Sequence, residues 1–138
     1  MGSFKDYLEN AVLNHVFGKA TLTAPPLYVG LATGAISDAD TGATIKVNAL
    51  EPAAGGYARA LTSGVWWNNA SAGSMSNLSV ITFVSSTASW GTITHFFIAD
   101  AANSLANILA YSSVETAQAV ASDNIVQFAV GAISVTLA

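Results

Sequence analysis

The sequence predicts a mainly β fold, a compact β-sandwich or barrel with one N-terminal amphipathic helix. Three observations carry that expectation. Short apolar alternations recur between turns rich in Gly, Asn, Asp and Ser. Helical spacing of apolar residues is confined to the start of the chain. A chain of 138 residues suits one domain, taken here as 1–138.

Ser3-Phe4-Lys5-Asp6 has the form of a capping box, with Asp where Glu or Gln is commoner. Phe4, Leu8, Ala11, Val12, His15 and Val16 then recur at spacings of three and four, and Gly18 supplies a left-handed cap. The spacing predicts a helix over about 4–17 whose apolar stripe lies on the strands. Pro25-Pro26 prevents its continuation, because proline lacks the amide donor and restricts the residue before it.

Leu27, Val29 and Leu31 alternate with Tyr28, Gly30 and Ala32, a strand covered on both faces. The excursion over about 34–56 is rich in Ala, Asp, Gly and Asn, with Ile45, Val47 and Leu50 as its apolar anchors. At about 23 residues it far exceeds the usual connection of roughly 4 to 6, which marks it as a packing or binding element. Further strands are expected at Tyr57 to Thr62, through Val65, Trp66 and Trp67, and at Leu78 to Val84. Others follow at Thr92 to Ala99, Leu105 to Val114, Ile125 to Val130 and Ile133 to Leu137, with a polar turn region over Asn68 to Asn77.

Composition bears on function. Twelve residues of 138 are charged, where a free soluble domain carries about 25 %. Such a chain is expected to spend part of its surface against other protein subunits. Four basic residues against eight acidic ones give a net charge of −4, which argues against nucleic acid as a partner, since binding it needs phosphates neutralised from one basic face. No apolar run reaches membrane-spanning length, so neither membrane insertion nor an ordinary signal peptide is expected. With no cysteine, thiol catalysis and Cys-ligated zinc are excluded.

No catalytic, metal or cofactor site is expected. His15 sits on the helix stripe and reads as a packing residue. His95 and Asp100, five apart on a strand, would stand about 16 Å from each other, and no nucleophile signature accompanies them. Asp38 and Asp40 lack the spacing of a calcium loop, and Gly30 to Gly34 lacks the lysine and spacing of a phosphate loop. Trp66-Trp67-Asn68-Asn69 are candidates for glycan or subunit contact, although adjacent strand residues face opposite ways and only one tryptophan would be available. Arg59, the single arginine, suits a bidentate grip on Glu51 or on a neighbouring subunit's acid. With Ile45, Val47 and Leu50 it is a candidate assembly contact.

Four separated blocks carry a resemblance. Phe4-x-x-Tyr7-Leu8-Glu9-Asn10-x-x-Leu13-x-His15-x-Phe17-Gly18, Pro25-Pro26-Leu27-Tyr28-Val29-Gly30-Leu31, Gly55-Gly56-Tyr57-Ala58-Arg59 and Trp90-Gly91-Thr92-Ile93-Thr94-His95 resemble a family of small virion proteins of tailed bacteriophages, labelled tail-fibre or minor structural proteins. The resemblance implies a non-enzymatic virion subunit, assembled in the host bacterial cytoplasm, whose partners are its own copies and other phage virion proteins. It also implies that His15, Arg59, Trp90 and His95 are framework positions. Tail or fibre is the expected location, with capsid decoration and a host surface glycan binding module as the alternatives.

Overall fold

The computed structural model describes residues 3–137. In chain order the elements are β1 (Ser3–Phe4), α1 (Asp6–Val16), β2 (Leu27–Ala32), α2 (Gly42–Val47), β3 (Ala60–Thr62), β4 (Ser74–Ser76), β5 (Ile81–Thr82), β6 (Gly91–Ala99), β7 (Ile108–Val120), β8 (Gln127–Phe128) and β9 (Ser134–Thr136). A five-stranded antiparallel sheet, ordered β1-β7-β6-β2-β3, forms the centre, and β4–β9 and β5–β8 are separate two-stranded ladders. The fold is thus mainly β with one N-terminal helix. The expected closure into a sandwich or barrel is not seen among the described residues, whose strands form one five-stranded sheet and two small ladders.

Period-two alternation gives the sheet two buried faces. Val29 and Leu31 of β2, Phe96 and Ile98 of β6 and Leu109 of β7 join Trp67, Ile81, Phe83 and Trp90 in a first core. Ala32, Phe97, Ala99 and Ile108 point the other way and meet Ile36, Ile45 and Ala106 in a second. Gly30 is needed for that second face: a Cβ there would lie 2.2 Å from the Phe97 ring.

Several boundaries differ from expectation for local reasons. Ser3 and Phe4 pair with Tyr111 and Ala110 as β1, so they form no capping box. Lys5 is the N-cap, without a side-chain capping bond, and its own N–H donates to Leu109 O at 2.9 Å. The expected packing face of Phe4, Leu8, Val12 and Val16 is therefore broken. Phe4 belongs to the sheet, Leu8 is half-buried against the first core, Val16 is 69 % exposed, and no residue of α1 is buried. At Gly64–Trp66 a 3₁₀ turn replaces the expected strand. β7 runs on past Val114 to Val120 through a shift of register, where two steps along β6 match five along β7. Polar Glu115, Thr116 and Gln118 interrupt the apolar alternation there.

Candidate assembly surface

The long excursion and the loop after β6 form one layer over the second core. Thr41 and Thr44 form a capping box that starts α2. Asp40 fixes the preceding turn: Ser37 N–H and Oγ–H donate to its Oδ2 at 2.8 and 2.9 Å, and Thr44 Oγ1–H donates to its Oδ1 at 3.0 Å. These donors, the Ser37 amide foremost, hold the Asp40 carboxyl below the usual carboxylate range. Gly42 lies so close to the adjoining loop that a Cβ would stand 2.7 Å from Ala106 O.

Buried Arg59 locks this layer to the sheet. Its Nε and NH2 donate to Glu51 Oε1 and Oε2, each at 2.8 Å, while NH1 donates to Ala101 O and Asn103 O, each at 2.9 Å. The guanidinium also stands 5.0 Å from the Phe97 ring centroid. Of the two partners expected for Arg59, the structure uses Glu51. Tyr57 completes the cluster. β3 stops at Ala60, so the Leu31 N–H has no β3 carbonyl opposite it and donates instead to Tyr57 Oη at 2.8 Å, and the phenol donates to Glu51 Oε1 at 2.9 Å. Burial, followed by the Glu51 charge, pushes the Tyr57 pKa well above its ordinary value, so the phenol keeps its proton.

The expected contact residues separate into two groups. Ile45 is fully buried, Leu50 is half-buried against the second core, and Arg59 has its donors taken up within the chain. Val47, by contrast, is 83 % exposed, and Leu105 on the adjoining loop is 86 % exposed. The tryptophans also divide. Trp67 is buried, its indole N–H donating to Thr62 Oγ1 at 3.2 Å, while Trp66 is half-buried. Asn68 is committed to the chain, accepting the Ser76 N–H at 2.8 Å and donating to Ser76 Oγ at 3.3 Å, and Asn69 is exposed.

His15, expected to pack, is exposed, and its Nδ1 accepts the Leu22 N–H at 3.2 Å. It holds the loop that leaves α1. His95 is half-buried with Nδ1 2.9 Å from Thr94 Oγ1. Among the described residues, no three His, Asp or Glu side chains converge as a cation site, and no helix is long and apolar enough to cross a membrane.

Two structural residues carried no sequence signal. Asn77 is fully buried, donating to Ser79 O and Ala129 O and accepting the Ile133 N–H, and so ties the C-terminal segment to the first core. Lys5 is 2 % exposed and donates from Nζ to Ser37 O. Burial lowers its pKa, opposed by the nearby charges of Asp38, Asp40 and Asp6. A lysine between an aromatic and an acid reads as surface in any sequence, so only the pairing of β1 with β7 reveals its burial.

No curated protein matches the chain. A family model described as podophage GP4 fiber I protein gp80 matches residues 3–136. The match covers nearly the whole chain and agrees with the four sequence blocks, so the chain belongs to that family and is a non-enzymatic structural protein of a phage virion fibre.

Proposed function

We propose that the chain is a repeated building unit of the fibre, assembled in the host bacterial cytoplasm and joined to its own copies and to other virion proteins through apolar surface. One observation carries this reading. Among the described residues, fourteen large apolar side chains are at least 45 % exposed, in a chain with only twelve charges. Such a surface favours burial against protein over solvation as a free monomer. Val47 and Leu105 supply contact area on the loop layer, while Ile45, Leu50, Arg59 and Glu51 hold that layer in a fixed shape. A rigid layer loses little conformational freedom on docking.

Quantitative mass spectrometry and imaging of purified particles test the reading. Several copies per particle at the fibre are expected. Absence from mature particles would overturn it, and density spread over the capsid would make the protein a decoration subunit instead. A Val47→Asp, Leu105→Asp chain should fold normally yet enter particles poorly.

A further inference from the structure

The two edges of the central sheet differ in length. β3 closes one of them with three residues, Ala60 to Thr62. At the other, β1 covers β7 at Ala110 and Tyr111, and the Lys5 N–H adds one bond to Leu109 O. From Val114 to Val120 the outer edge of β7 has no backbone partner among the described residues. The shift of register leaves Val114 to Ala117 without a partner on β6 as well, and Glu115 to Ala119 are exposed. Across a groove of about 580 Å³ the chain returns as Asp123 to Phe128, and among the described residues no backbone hydrogen bond spans that groove. Val114, Thr116 and Gln118 border it while Glu115 and Ala117 do not, which is the alternation of a strand. Unmatched N–H and C=O groups along such an edge select another extended strand, because a backbone offers donors and acceptors at the same spacing. Of the usual safeguards against edge pairing, only the register shift and one charge, Glu115, are present. The segment has neither Pro nor Lys.

We propose that this edge pairs antiparallel with the same edge of a second copy about a two-fold axis at Ala117, joining two five-stranded sheets into one. The proposal rests on the reading that the chain joins its own copies, and it names the surfaces that meet. Length selects the partner: the free edge of β7 outruns the three residues of β3, so within this sheet only another β7 matches it in full. The register follows from the ends of the free segment. Two identical antiparallel strands use all of 114–120 only when 114 lies opposite 120, which sets 117 opposite 117. That register places Glu115 against Ala119, so the one charge meets no like charge, and Thr116 against Gln118, a pair able to share a hydrogen bond. Each pair joins two even or two odd positions, so groove-facing side chains meet groove-facing ones and both first cores lie on the same side of the joint sheet.

The protein has no cysteine, so a single thiol at the axis reports the pairing. Ala117→Cys under mild oxidation should give a disulfide-linked dimer, since directly opposed strand residues have Cα atoms about 4.5–5.5 Å apart, within disulfide reach. Ala119→Cys alone should not cross-link, because four strand steps, about 13 Å, separate it from its own copy. Glu115→Cys mixed with Ala119→Cys should. Ala117→Lys sets like charges face to face and should weaken association at least about tenfold by light scattering. Thermal unfolding of that variant, measured dilute, should match wild type because Ala117 is exposed. Amide exchange from Val114 to Ala119 should slow as wild type is concentrated through its dissociation constant. Wild type that associates while Ala117→Cys forms no disulfide, or while Ala117→Lys associates equally, would overturn this interface and leave self-association standing. Association only as trimers would do the same. Monomeric wild type at tens of micromolar would overturn both.

Discussion

The two faces of the central sheet are covered by different means. One buries Trp67, Phe83, Trp90, Phe96 and aliphatic neighbours beneath short ladders, with Tyr57 edge-on to Trp90 at 5.3 Å and Phe96 tilted on Phe128 at the same distance. The other buries a smaller set around Phe97 and Ile45 beneath α2 and two loops, which Arg59, Glu51 and Tyr57 fasten to the sheet. The first face depends on side-chain volume and the second on polar geometry and on glycines that let backbones approach. A loop layer fastened from inside by charged groups can display Val47 and Leu105 to a partner as firmly as a strand would.

The largest expected effect tests the fastening. Arg59→Ala would leave the nearly buried Glu51 carboxylate unpaired and strip donors from Ala101 O and Asn103 O, at a cost of about 3–5 kcal/mol in urea unfolding. Ile81→Ala, fully buried in the first core, should cost about 2–5 kcal/mol through its cavity alone. The two differ under compensation. Adding Glu51→Leu to Arg59→Met should recover much of the Arg59 loss, because no buried charge is then left unpaired. Failure of Arg59→Ala to cost more than about 1 kcal/mol would mean that the loop layer is held by Ile45 and Phe97 packing instead.

Gly30 sharpens the comparison at the point where the faces share a strand. Gly30→Ala drives a Cβ into the Phe97 ring, which has Arg59 on it and cannot retreat freely, so about 1–3 kcal/mol of destabilisation is expected. Gly64→Ala meets nothing within 4 Å and should fall within about 0.5 kcal/mol of wild type. Equal effects at the two glycines would remove the distinction between a fitted face and an open turn.

This difference also explains what the sequence made legible. The alternation of β2 and the apolar part of β6 was readable because volume and period are written in the residues themselves. Arg59 was readable as a bidentate donor because it is the single arginine, yet Glu51 as its partner depended on how a 23-residue excursion folds back. Val47 and Ile45 look alike in sequence, and only the two-residue offset within α2 buries one and exposes the other. Phe17 read as the end of a packing helix. The β1–β7 pairing starts α1 at Asp6, and Leu13, Val16 and Phe17 at its end are exposed.

Acid titration probes the loop layer separately. Asp40 has a folded pKa below its unfolded value of about 3.9, so the unfolded chain binds more protons in that range. Its contribution is present in full above the unfolded value and is lost as pH falls through the folded one. Asp40→Asn should therefore remove a component of the acid-induced loss below about pH 4 while costing about 0.5–2 kcal/mol at neutral pH, the range for a lost turn cap. An unchanged acid profile in Asp40→Asn would assign that loss to other carboxylates.

The smallest effect belongs to α1, which places no fully buried residue in either face. Leu8 is half-buried against the first core and borders an open apolar cavity, so it has already lost some of the packing that makes core leucines costly to truncate. Leu8→Ala should cost about 1 kcal/mol, well under the 2–5 kcal/mol of a fully buried leucine, and Val16→Ser, at 69 % exposure, should stay within about 0.5 kcal/mol of wild type. Chemical unfolding of the dilute monomer measures both. A loss above about 2 kcal/mol at Leu8 would mean that the helix is docked as a third layer of the core. A small loss in the monomer that grows with protein concentration would instead place the energetic role of α1 in contact with a second copy, since association stabilises by mass action and only above its dissociation constant.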